Sequence, residues 1–302
     1  MTATIIDGKR IASEIRALVK DEVRRFEGHG IKPCLATILV GSDEASSLYV
    51  SLKHNACQEV GMRPLDYRLP EGVSEETIAE KIEELNEDVS VHGIMVQLPL
   101  PDTLKAQRVM EVIDPGKDVD GLNPINVGRA IYDAHGLLPC TPAGIIVLLT
   151  RYSIGVRGRD AVIVNRSPEV GKPLAMLLLN RDATVTICHS KKGGIEEHTR
   201  RADILVSAVG NRPGFVVSED MVKLGAAVID VGMNRVGGRI CGDVDFDRVM
   251  LKASYITPVP GGVGPMTIAL LLRNTLLAAS TQMGLGLIGP LTFEEELSGK
   301  AH

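Results

Sequence analysis

Apolar runs rich in β-branched residues alternate with segments of helical period along most of this chain, and this alternation limits the fold more than any other feature. Such an order predicts parallel sheets covered by helices, because parallel strands need a crossover connection between them. We predict strands over residues 35–40, 93–97, 161–165, 184–188, 204–208 and 227–231. We predict helices over residues 11–28, 44–60, 74–86, 104–113, 171–179 and 266–279. The sequence therefore predicts an α/β protein.

The order of motifs changes near residue 150, where a short link over residues 155–159 precedes a new strand–helix–strand unit. We therefore predict two α/β domains, an N-terminal domain over residues 1–140 and a C-terminal Rossmann-type domain over residues 141–265. A helix within residues 266–285 is expected to return to the first domain. Residues 286–302 form a tail with an acidic run and no clear period.

Composition and charge exclude several classes of protein. The chain has 302 residues and 44% hydrophobic content, which is enough for a sizeable core. Its net charge of −5 with dispersed basic residues argues against nucleic-acid binding. Near the N-terminus there is no long apolar run, and Arg273 interrupts the best candidate for a membrane span, so we expect a cytoplasmic protein without membrane contact. Five widely spaced cysteines indicate reduced core residues that hold neither a disulfide nor a metal.

The segment from Pro260 to Thr267 contains three glycines and two prolines directly before an apolar helical run. Glycine lets a ligand approach the backbone closely, and proline keeps such a turn rigid. The helix that follows offers unpaired N–H groups at its start. A tight connection before a buried helix is the plainer alternative, but the whole octet favours a ligand site that includes Pro260, Gly261 and Gly262.

A second candidate site follows the strand predicted over residues 161–165. There a polar turn opens a helix at Gly171, as in units that bind the phosphates of a dinucleotide, although the other glycines of the usual fingerprint are missing. The next strand ends in a basic segment where NAD-specific units place an acid, and this suits the 2′-phosphate of NADP. A solvated loop is the alternative. The candidate cofactor-binding residues are Asn165, Arg166, Ser167, Gly171, His189 and Ser190.

Candidate catalytic residues lie in the first domain. Tyr49 and Lys53 are four residues apart in a predicted helix and so share one face. Gln97 ends a predicted strand, where ligands of α/β proteins bind, and a stiff Leu-Pro-Leu-Pro turn follows it. Asp120 lies in an acidic turn that does not match a calcium loop. Taken singly, these are a surface pair, a satisfied buried amide and an ordinary turn, so their interest depends on their coming together.

Seven motifs resemble those of one family, in order and at fitting spacing: residues 49–53, 96–101, 117–121, 139–142, 166–171, 188–190 and 260–267. The chain resembles the bifunctional methylenetetrahydrofolate dehydrogenase/methenyltetrahydrofolate cyclohydrolases over about residues 3–280. Two positions depart from that family's pattern, because Asn165 stands where it usually has glycine and Lys192 where it usually has threonine.

The resemblance implies an N-terminal catalytic domain, a C-terminal NADP-binding domain and a homodimer. It also implies that 5,10-methylenetetrahydrofolate is oxidised with NADP and that the methenyl product is hydrolysed to 10-formyltetrahydrofolate in the same cleft. Lys53 would be the acid–base group, and Gln97 would hydrogen-bond to it. Tyr49 would pack over the folate ring system, Asp120 would pair with N–H donors of the pterin, and the loop that starts at Pro260 would wall the cleft.

Two other interpretations are open at this point. One is a Rossmann dehydrogenase for an amino or hydroxy acid, with Lys53 and Asp120 as its acid–base pair, but this leaves the turn after Gln97 unexplained. The other is an inactive NADP-binding or regulatory protein. The joint presence of Lys53, Gln97 and Asp120 argues against it.

Overall fold

The computed structural model describes residues 2–134, 136–191 and 193–286. In these ranges the strands are β1 (Thr4–Ile5), β2 (Cys34–Val40), β3 (Arg63–Leu69), β4 (Gly93–Val96), β5 (Asp160–Val164), β6 (Thr184–Cys188), β7 (Ile204–Ser207), β8 (Ala227–Asp230), β9 (Asn234–Val236), β10 (Arg239–Cys241) and β11 (Tyr255–Ile256). The helices are α1 (Gly8–Glu27), α2 (Glu44–Val60), α3 (Glu75–Glu87), α4 (Ala106–Val112), α5 (Pro124–Ile131), α6 (Cys140–Arg151), α7 (Gly171–Leu179), α8 (Ile195–Thr199), α9 (Phe246–Val249) and α10 (Val263–Gln282).

The first domain contains a three-stranded parallel sheet in the order β3-β2-β4. Strand β2 lies in the centre and all seven of its residues are buried. Because β3 and β4 lie on opposite sides of β2, the strand order reverses there, and the carboxyl ends of β2 and β4 border a crevice. Gln97 lies at this edge, where its backbone N–H donates to the carbonyl of Ile38 at 2.8 Å.

The second sheet has six parallel strands in the order β1-β11-β8-β7-β5-β6. Strand β5 has β6 on one side and β7 on the other, which places a second switch point at its carboxyl end. In the register, Val164 of β5 is opposite Cys188 of β6 and Ser207 of β7. The segments that follow these three strands therefore lie side by side. The edge strand β1 comes from residues near the chain's beginning and pairs with β11.

Helix α10 connects the two halves of the molecule. It starts after the glycine-rich loop of the second domain and packs against α1, α2 and α6. Gly144 of α6 allows a close approach, because a Cβ atom there would lie 3.0 Å from the Cβ of Met266. By length and hydropathy α10 could cross a membrane, but most of its apolar stretch is buried inside the protein, as expected for a core helix.

The predicted fold class is confirmed, and every strand and helix predicted from the sequence is present with its ends shifted by a few residues at most. Strand β3 was not predicted, because Pro64 and its alternating polar residues obscure the pattern. It is an edge strand, where proline is tolerated. The β9–β10 hairpin and helix α5 were not predicted either. The proposed domain limits stay a prediction, and residues 287–302 of the predicted tail lie outside the described residues.

Candidate active site

Helix α2 carries two of the predicted catalytic residues on one face. Asp43 caps its start by accepting a hydrogen bond from the N–H of Ser46 at 2.7 Å. Tyr49 is half-buried, and Lys53 one turn later is only 8% exposed. Burial of an ammonium group is costly unless it has a partner. The Nζ atom of Lys53 has one, because it donates to Oε1 of Gln97 at 3.0 Å.

The carboxamide of Gln97 is held in one orientation. Its Nε2 donates to the carbonyl oxygen of Leu98 at 2.5 Å, which leaves Oε1 to accept from Lys53. The buried end of β4 thus supplies a neutral acceptor for the lysine, whereas a carboxylate there would stabilise the ammonium ion. A neutral partner leaves the amine easier to deprotonate.

The loop that carries Asp120 is built around the buried carboxylate of Asp118. Asp118 accepts hydrogen bonds from the backbone N–H groups of Gly121, Leu122 and Asn123 at 3.1, 3.2 and 2.8 Å. Gly121 has a φ of +74°, and a Cβ there would lie 2.4 Å from the carbonyl carbon of the neighbouring segment, so only glycine fits. Burial raises the pKa of Asp118 to about 6. Asp118 therefore shapes the turn, and Asp120 faces the cavity.

Lys117, the first residue of the same motif, also has a structural task. Its Nζ donates to three carbonyl oxygens, those of Leu85, Asn86 and Asp88, at 2.7 to 3.0 Å. It thereby satisfies the carbonyls at the end of α3, where a helix leaves acceptors unpaired. Of the three charged residues in the motif, only Asp120 is available to a ligand.

Lys53, Gln97 and Asp120 line one small cavity of about 140 Å³. Its walls come from both domains and from α10, and they consist of Lys53, Met95, Gln97, Leu98, Asp120, Leu122, Cys140, Thr141, Glu169 and Thr267. Burial lowers the pKa of Lys53, and the negative charge of Asp120 opposes this shift in part. The structure therefore brings three of the four predicted catalytic residues together around a lysine that is closer to neutrality than an exposed one.

Cys140 lies at the wall of this cavity and is 1% exposed. Burial raises its pKa well above the usual value, with a further contribution from Asp120, so the thiol stays protonated. Its Sγ donates to the carbonyl of Val119 at 3.2 Å. A protonated, hydrogen-bonded thiol is a poor nucleophile, and Cys140 acts here as part of the wall.

Tyr49, the fourth predicted catalytic residue, does not line this cavity; it lies one turn before Lys53 on α2, and we call the place where it meets the second domain the entrance. Its hydroxyl contacts the sulfur of Met233, which follows β8 in the second domain. Burial raises the pKa of Tyr49, so the phenol stays neutral. A second link between segments joins the hydroxyls of Thr141 and Thr267 at 2.9 Å, at the starts of α6 and α10.

The turn between β5 and α7 is closed by Asn165. Its Oδ1 accepts from the N–H groups of Ser167 and Gly171 at 2.6 and 3.1 Å, and its Nδ2 donates to the carbonyl of Ala208 at 2.6 Å. A Cβ at Gly171 would lie 2.3 Å from the carbonyl oxygen of Asn165, so the chain needs glycine here. The side chain that departs from the family's glycine thus points into the turn and ties β5 to the segment after β7.

Polar and basic groups stand at the ends of β5 and β6. Arg166, Ser190 and Lys191 are exposed, and His189 is half-buried with its Nδ1 accepting from the N–H of Lys191 at 3.2 Å. Since Val164 and Cys188 are paired, these groups border the same crevice. A guanidinium, an ammonium and a hydroxyl are the donors that a 2′-phosphate requires, so the residues present fit NADP. Lys192 lies outside the described residues.

The glycine-rich loop before α10 packs against the start of α1. The N–H of Lys9 donates to the carbonyl of Gly261 at 2.9 Å, and a Cβ at Gly8 would lie 1.9 Å from the carbonyl oxygen of Gly262. Pro260, Gly261 and Gly262 do not line the cavity around Lys53; of the octet, only Thr267 does. Gly264 is nearer the entrance, where a Cβ would meet the methyl group of Met233 at 4.0 Å.

Two buried carboxylates that the sequence did not mark support the rim of the nucleotide crevice. Asp243 accepts from the hydroxyl of Ser207 at 2.8 Å and from the N–H groups of Val209 and Gly210 at 2.7 and 3.0 Å, so it holds the segment after β7. Asp230 accepts from the N–H groups of residues 232, 243 and 244. The only sequence signal was a pair of glycines, at 232 and 242, where a Cβ would collide with these carboxylates.

Four other residues at the cavity or its entrance carried no signal as individual side chains in the sequence: Thr141, Glu169, Met233 and Thr267. Thr141 and Thr267 lay inside motifs noted for their neighbours, and Glu169 lay in the predicted nucleotide turn. Their places at the cavity depend on how the two domains and α10 meet, and no local pattern encodes that.

Two parallel-sheet domains, with a buried lysine cavity beside a nucleotide crevice, define the class of two-domain, dinucleotide-dependent oxidoreductases. Profiles for two domains match the chain: "Tetrahydrofolate dehydrogenase/cyclohydrolase, catalytic domain" over residues 6–120 and "Tetrahydrofolate dehydrogenase/cyclohydrolase, NAD(P)-binding domain" over residues 139–283. The chain belongs to the tetrahydrofolate dehydrogenase/cyclohydrolase family, which confirms the resemblance found in the sequence.

Related proteins and solved structures support the same family. The chain is 52% identical over 280 residues to the bifunctional protein FolD of Moorella thermoacetica, which covers 92% of this chain and 99% of the relative. It is similar to the bifunctional FolD structure of Campylobacter jejuni, with a TM-score of 0.89, 47% identity, and 93% and 99% of the two chains covered. The Trypanosoma brucei dehydrogenase-cyclohydrolase, solved with NADP and an inhibitor, has a TM-score of 0.89 and 39% identity, and the match covers 94% of this chain and 99% of that one.

Proposed function

We propose that Lys53, Gln97 and Asp120 form a single site in which this enzyme catalyses both reactions of its family. The observation that carries the proposal is the buried hydrogen bond between Nζ of Lys53 and Oε1 of Gln97, beside Asp120, in a cavity that borders both domains. The chain is a bifunctional enzyme: it oxidises 5,10-methylenetetrahydrofolate to 5,10-methenyltetrahydrofolate with NADP, and it hydrolyses that product to 10-formyltetrahydrofolate.

The first reaction needs little acid–base catalysis by the protein. NADP, when bound, supplies the hydride acceptor. Loss of hydride leaves an amidinium cation, so the task of the chain is to hold the two reactants face to face. Arg166, Ser190 and Lys191 would hold the 2′-phosphate. Gly171 would serve this site indirectly, because the absence of a Cβ there lets Asn165 close the turn that leads into α7. Tyr49 would pack its ring against the folate at the entrance.

The second reaction needs proton transfer, which we assign to Lys53. Water adds to the cationic carbon, and neutral Nζ takes a proton as the new carbon–oxygen bond forms. The ammonium then donates that proton to the ring nitrogen whose bond to this carbon breaks. The hydroxyl proton leaves to solvent as the formyl carbonyl forms. Because burial lowers the pKa of Lys53 and Gln97 is a neutral acceptor, the amine can act in both directions.

Asp120 is the residue that we assign to folate recognition. A carboxylate can pair with two adjacent N–H donors of a pterin in a forked, charge-assisted arrangement. Its backbone is fixed by the network around Asp118, so the carboxylate is presented at a set position on the cavity wall. This role would serve both reactions equally.

Lys53→Met tests the assignment of the proton carrier. The substitution keeps much of the bulk of the stem but removes the amine. We expect methenyl hydrolysis to be abolished while NADP and folate binding, measured by calorimetry, stay within about threefold of the wild type. Unchanged hydrolysis by a folded Lys53→Met protein would overturn the assignment. Spectrophotometric assays with methylenetetrahydrofolate and NADP, and then of methenyl decay without cofactor, separate the two activities.

We also propose that the enzyme is a cytoplasmic homodimer without nucleic-acid or membrane partners. The support for the dimer is the free edge of the second sheet at β6, where Ile187 is 37% exposed and Leu179 nearby on α7 is 53% exposed. Edge strands are usually covered. Pairing of the nucleotide domains of two copies would cover this edge.

A further inference from the structure

Asn274 is a fully buried polar residue in the long, largely buried helix α10, and neither of the reactions above uses it. It is 1% exposed and lies on α10 between Leu271, Leu272 and Leu276. Burial of an amide in such surroundings is unfavourable unless its donors and acceptor are satisfied. A leucine would serve the core of α10 better, so the amide calls for another explanation.

The partners of Asn274 are backbone groups beside the active-site cavity. Its Nδ2 donates to the carbonyl of Val119 at 3.0 Å and to that of Leu138 at 2.9 Å, which uses both N–H bonds of the amide. Its Oδ1 accepts from Nη1 of Arg273 at 3.2 Å. The amide is therefore fully satisfied, and its two donors bridge two chain segments that are far apart in sequence.

These two segments enclose Asp120. Val119 directly precedes Asp120, and Leu138 belongs to the segment that leads into α6. The segments also contact each other directly: the N–H of Cys140 donates to the carbonyl of Asp120 at 3.3 Å, and its thiol donates to that of Val119 at 3.2 Å. With no Cβ at Gly121, the backbones come within contact distance. Asn274 thus ties the two segments around Asp120 to helix α10.

The same helix contributes to the cavity wall. Thr267, two turns before Asn274, lines the cavity and bonds to Thr141 at the start of α6. Helix α10 therefore holds one wall of the cavity through Thr267 and the backbone of Asp120 through Asn274. An error of about 1 Å in a binding group is enough to weaken a positioned contact substantially.

We propose that Asn274 is a positioning residue for folate recognition, which acts by fixing the backbone on which Asp120 is presented. This inference rests on the proposed role of Asp120. It assigns Asn274 to the binding of the folate substrate in both reactions and not to the binding of NADP, because within the described residues the hydrogen bonds of Asn274 outside α10 go to residues 119, 138 and 140, which flank Asp120.

The experiment uses the full-length enzyme with Asn274→Leu and Asn274→Ser. Leucine is similar in size and removes both donors, so the carbonyl of Leu138 loses its hydrogen bond and that of Val119 keeps only the thiol of Cys140. Serine tests the same loss with a smaller side chain that is more easily accommodated. We expect the KM for methylenetetrahydrofolate to rise about tenfold or more in both variants, with kcat and the KM for NADP within about threefold of the wild type. The KM for methenyltetrahydrofolate in the hydrolysis assay should rise in parallel.

Thr275→Val is the matched control. Thr275 is buried on the next position of α10, and its hydroxyl donates within the helix, to the carbonyl of Leu271 at 2.9 Å. We expect both KM values to be unchanged by this substitution. A merely structural role for Asn274 would lower the melting temperature and the active fraction, with KM unchanged as in Thr275→Val, and that result would overturn the proposal.

Asp120→Asn completes a double-mutant cycle with Asn274→Ser. If Asn274 acts through Asp120, the double variant has the same folate KM as Asp120→Asn alone. Full additivity of the two effects would overturn the inference about Asn274. A folate KM that Asp120→Asn leaves unchanged would instead overturn the proposed role of Asp120, so the two failures are distinguishable.

Discussion

At the scale of single residues, the chemistry of this site depends on the burial of its charged side chains. Lys53 is buried against a neutral amide, and the carboxylate of Asp120 is the nearby charge that favours its protonation. These two influences oppose each other, and the lowered pKa of Lys53 shows that burial has the larger effect. The protonation state of one amine then governs hydrolysis but not hydride transfer.

The pH dependence of the two activities should therefore differ. As a base, Lys53 must be neutral, so we expect the hydrolysis rate at saturating substrate to rise with pH and to level off above the lowered pKa of this group. The pH profile of the dehydrogenase activity should lack this rise. Because the charge of Asp120 raises the pKa of Lys53, Asp120→Asn should move the rise in hydrolysis rate to lower pH. Rate profiles of wild type and variant, measured in parallel, check the direction, and a shift to higher pH would contradict the assignment.

A second prediction concerns Asp230, which is 4% exposed and has a pKa of about 6 against an ordinary value of 3.8, chiefly because of burial. The folded protein binds this proton more readily than the unfolded chain. The contribution of Asp230 to stability is thus fully present below pH 4 and is lost as the pH rises to about 6. The size of the effect is on the order of 1.4 kcal/mol per pH unit within that window.

Asp230→Asn provides the comparison, because asparagine does not titrate. We expect the free energy of unfolding of the wild type, relative to that of the variant, to fall between pH 4.5 and pH 6 and to be constant from pH 7 to pH 8. Urea unfolding at each pH measures it. A difference that is the same at every pH would show that the carboxyl group titrates at its ordinary value.

At the scale of elements, the sequence predicted the strands and helices that are strongly periodic, and it singled out three of the residues that line the cavity, Lys53, Gln97 and Asp120. Gln97 could be placed because it ends a predicted parallel strand, at the edge of a sheet where ligands bind, whereas Asp120 was placed only by the motif that the chain shares with its family. Strand β3 was missed because it is half-exposed at an edge, and the tasks of Asp118 and Lys117 were missed because a buried polar network leaves no periodic signal. The sequence also offered no reason for the amide of Asn274.

The strand ends of the nucleotide domain lead to a prediction about cofactor choice. Arg166→Ala should lower kcat/KM for NADP by about tenfold to a hundredfold, since a charge-assisted contact to a phosphate is lost, and it should change kcat/KM for NAD much less. Arg159→Ala is the matched control, because Arg159 lies just before β5, at the opposite end of that strand from the crevice. Equal losses with both cofactors would show that Arg166 does not discriminate at the 2′-phosphate.

At the scale of the whole molecule, the family and the enzyme class could be predicted because several motifs occur together in order. The relation between domains could not. The contact of Tyr49 with Met233 and the presence of Glu169 and Thr267 at one cavity all depend on how the second domain faces the first. No local pattern specifies that orientation, whereas packing of α10 against α1 and α6 does so in the folded chain.

The proposed homodimer belongs to this scale. We expect light scattering at micromolar concentration to give twice the mass of 32.4 kDa. Introducing a charge at the free edge, as in Ile187→Lys, should shift the molecule toward the monomer, because a lysine on an edge strand disfavours pairing with another strand. The exposed Leu251→Lys, which lies far from β6 in the chain, serves as the control. A monomeric wild type would contradict the proposal.

The pairing of β1 with β11 has a consequence for how this enzyme can be divided. The backbone near residue 5 completes the sheet of the nucleotide domain before the chain enters the catalytic domain, and α10 later leaves the nucleotide domain to complete the catalytic core. Each domain is thus finished by a segment that lies beyond the other domain in the chain. A single cut near residue 150 would leave both fragments lacking a piece of their own core. The two domains consequently cannot be exchanged between relatives as contiguous cassettes, and recombination that respects the fold needs crossovers on both sides of the catalytic domain.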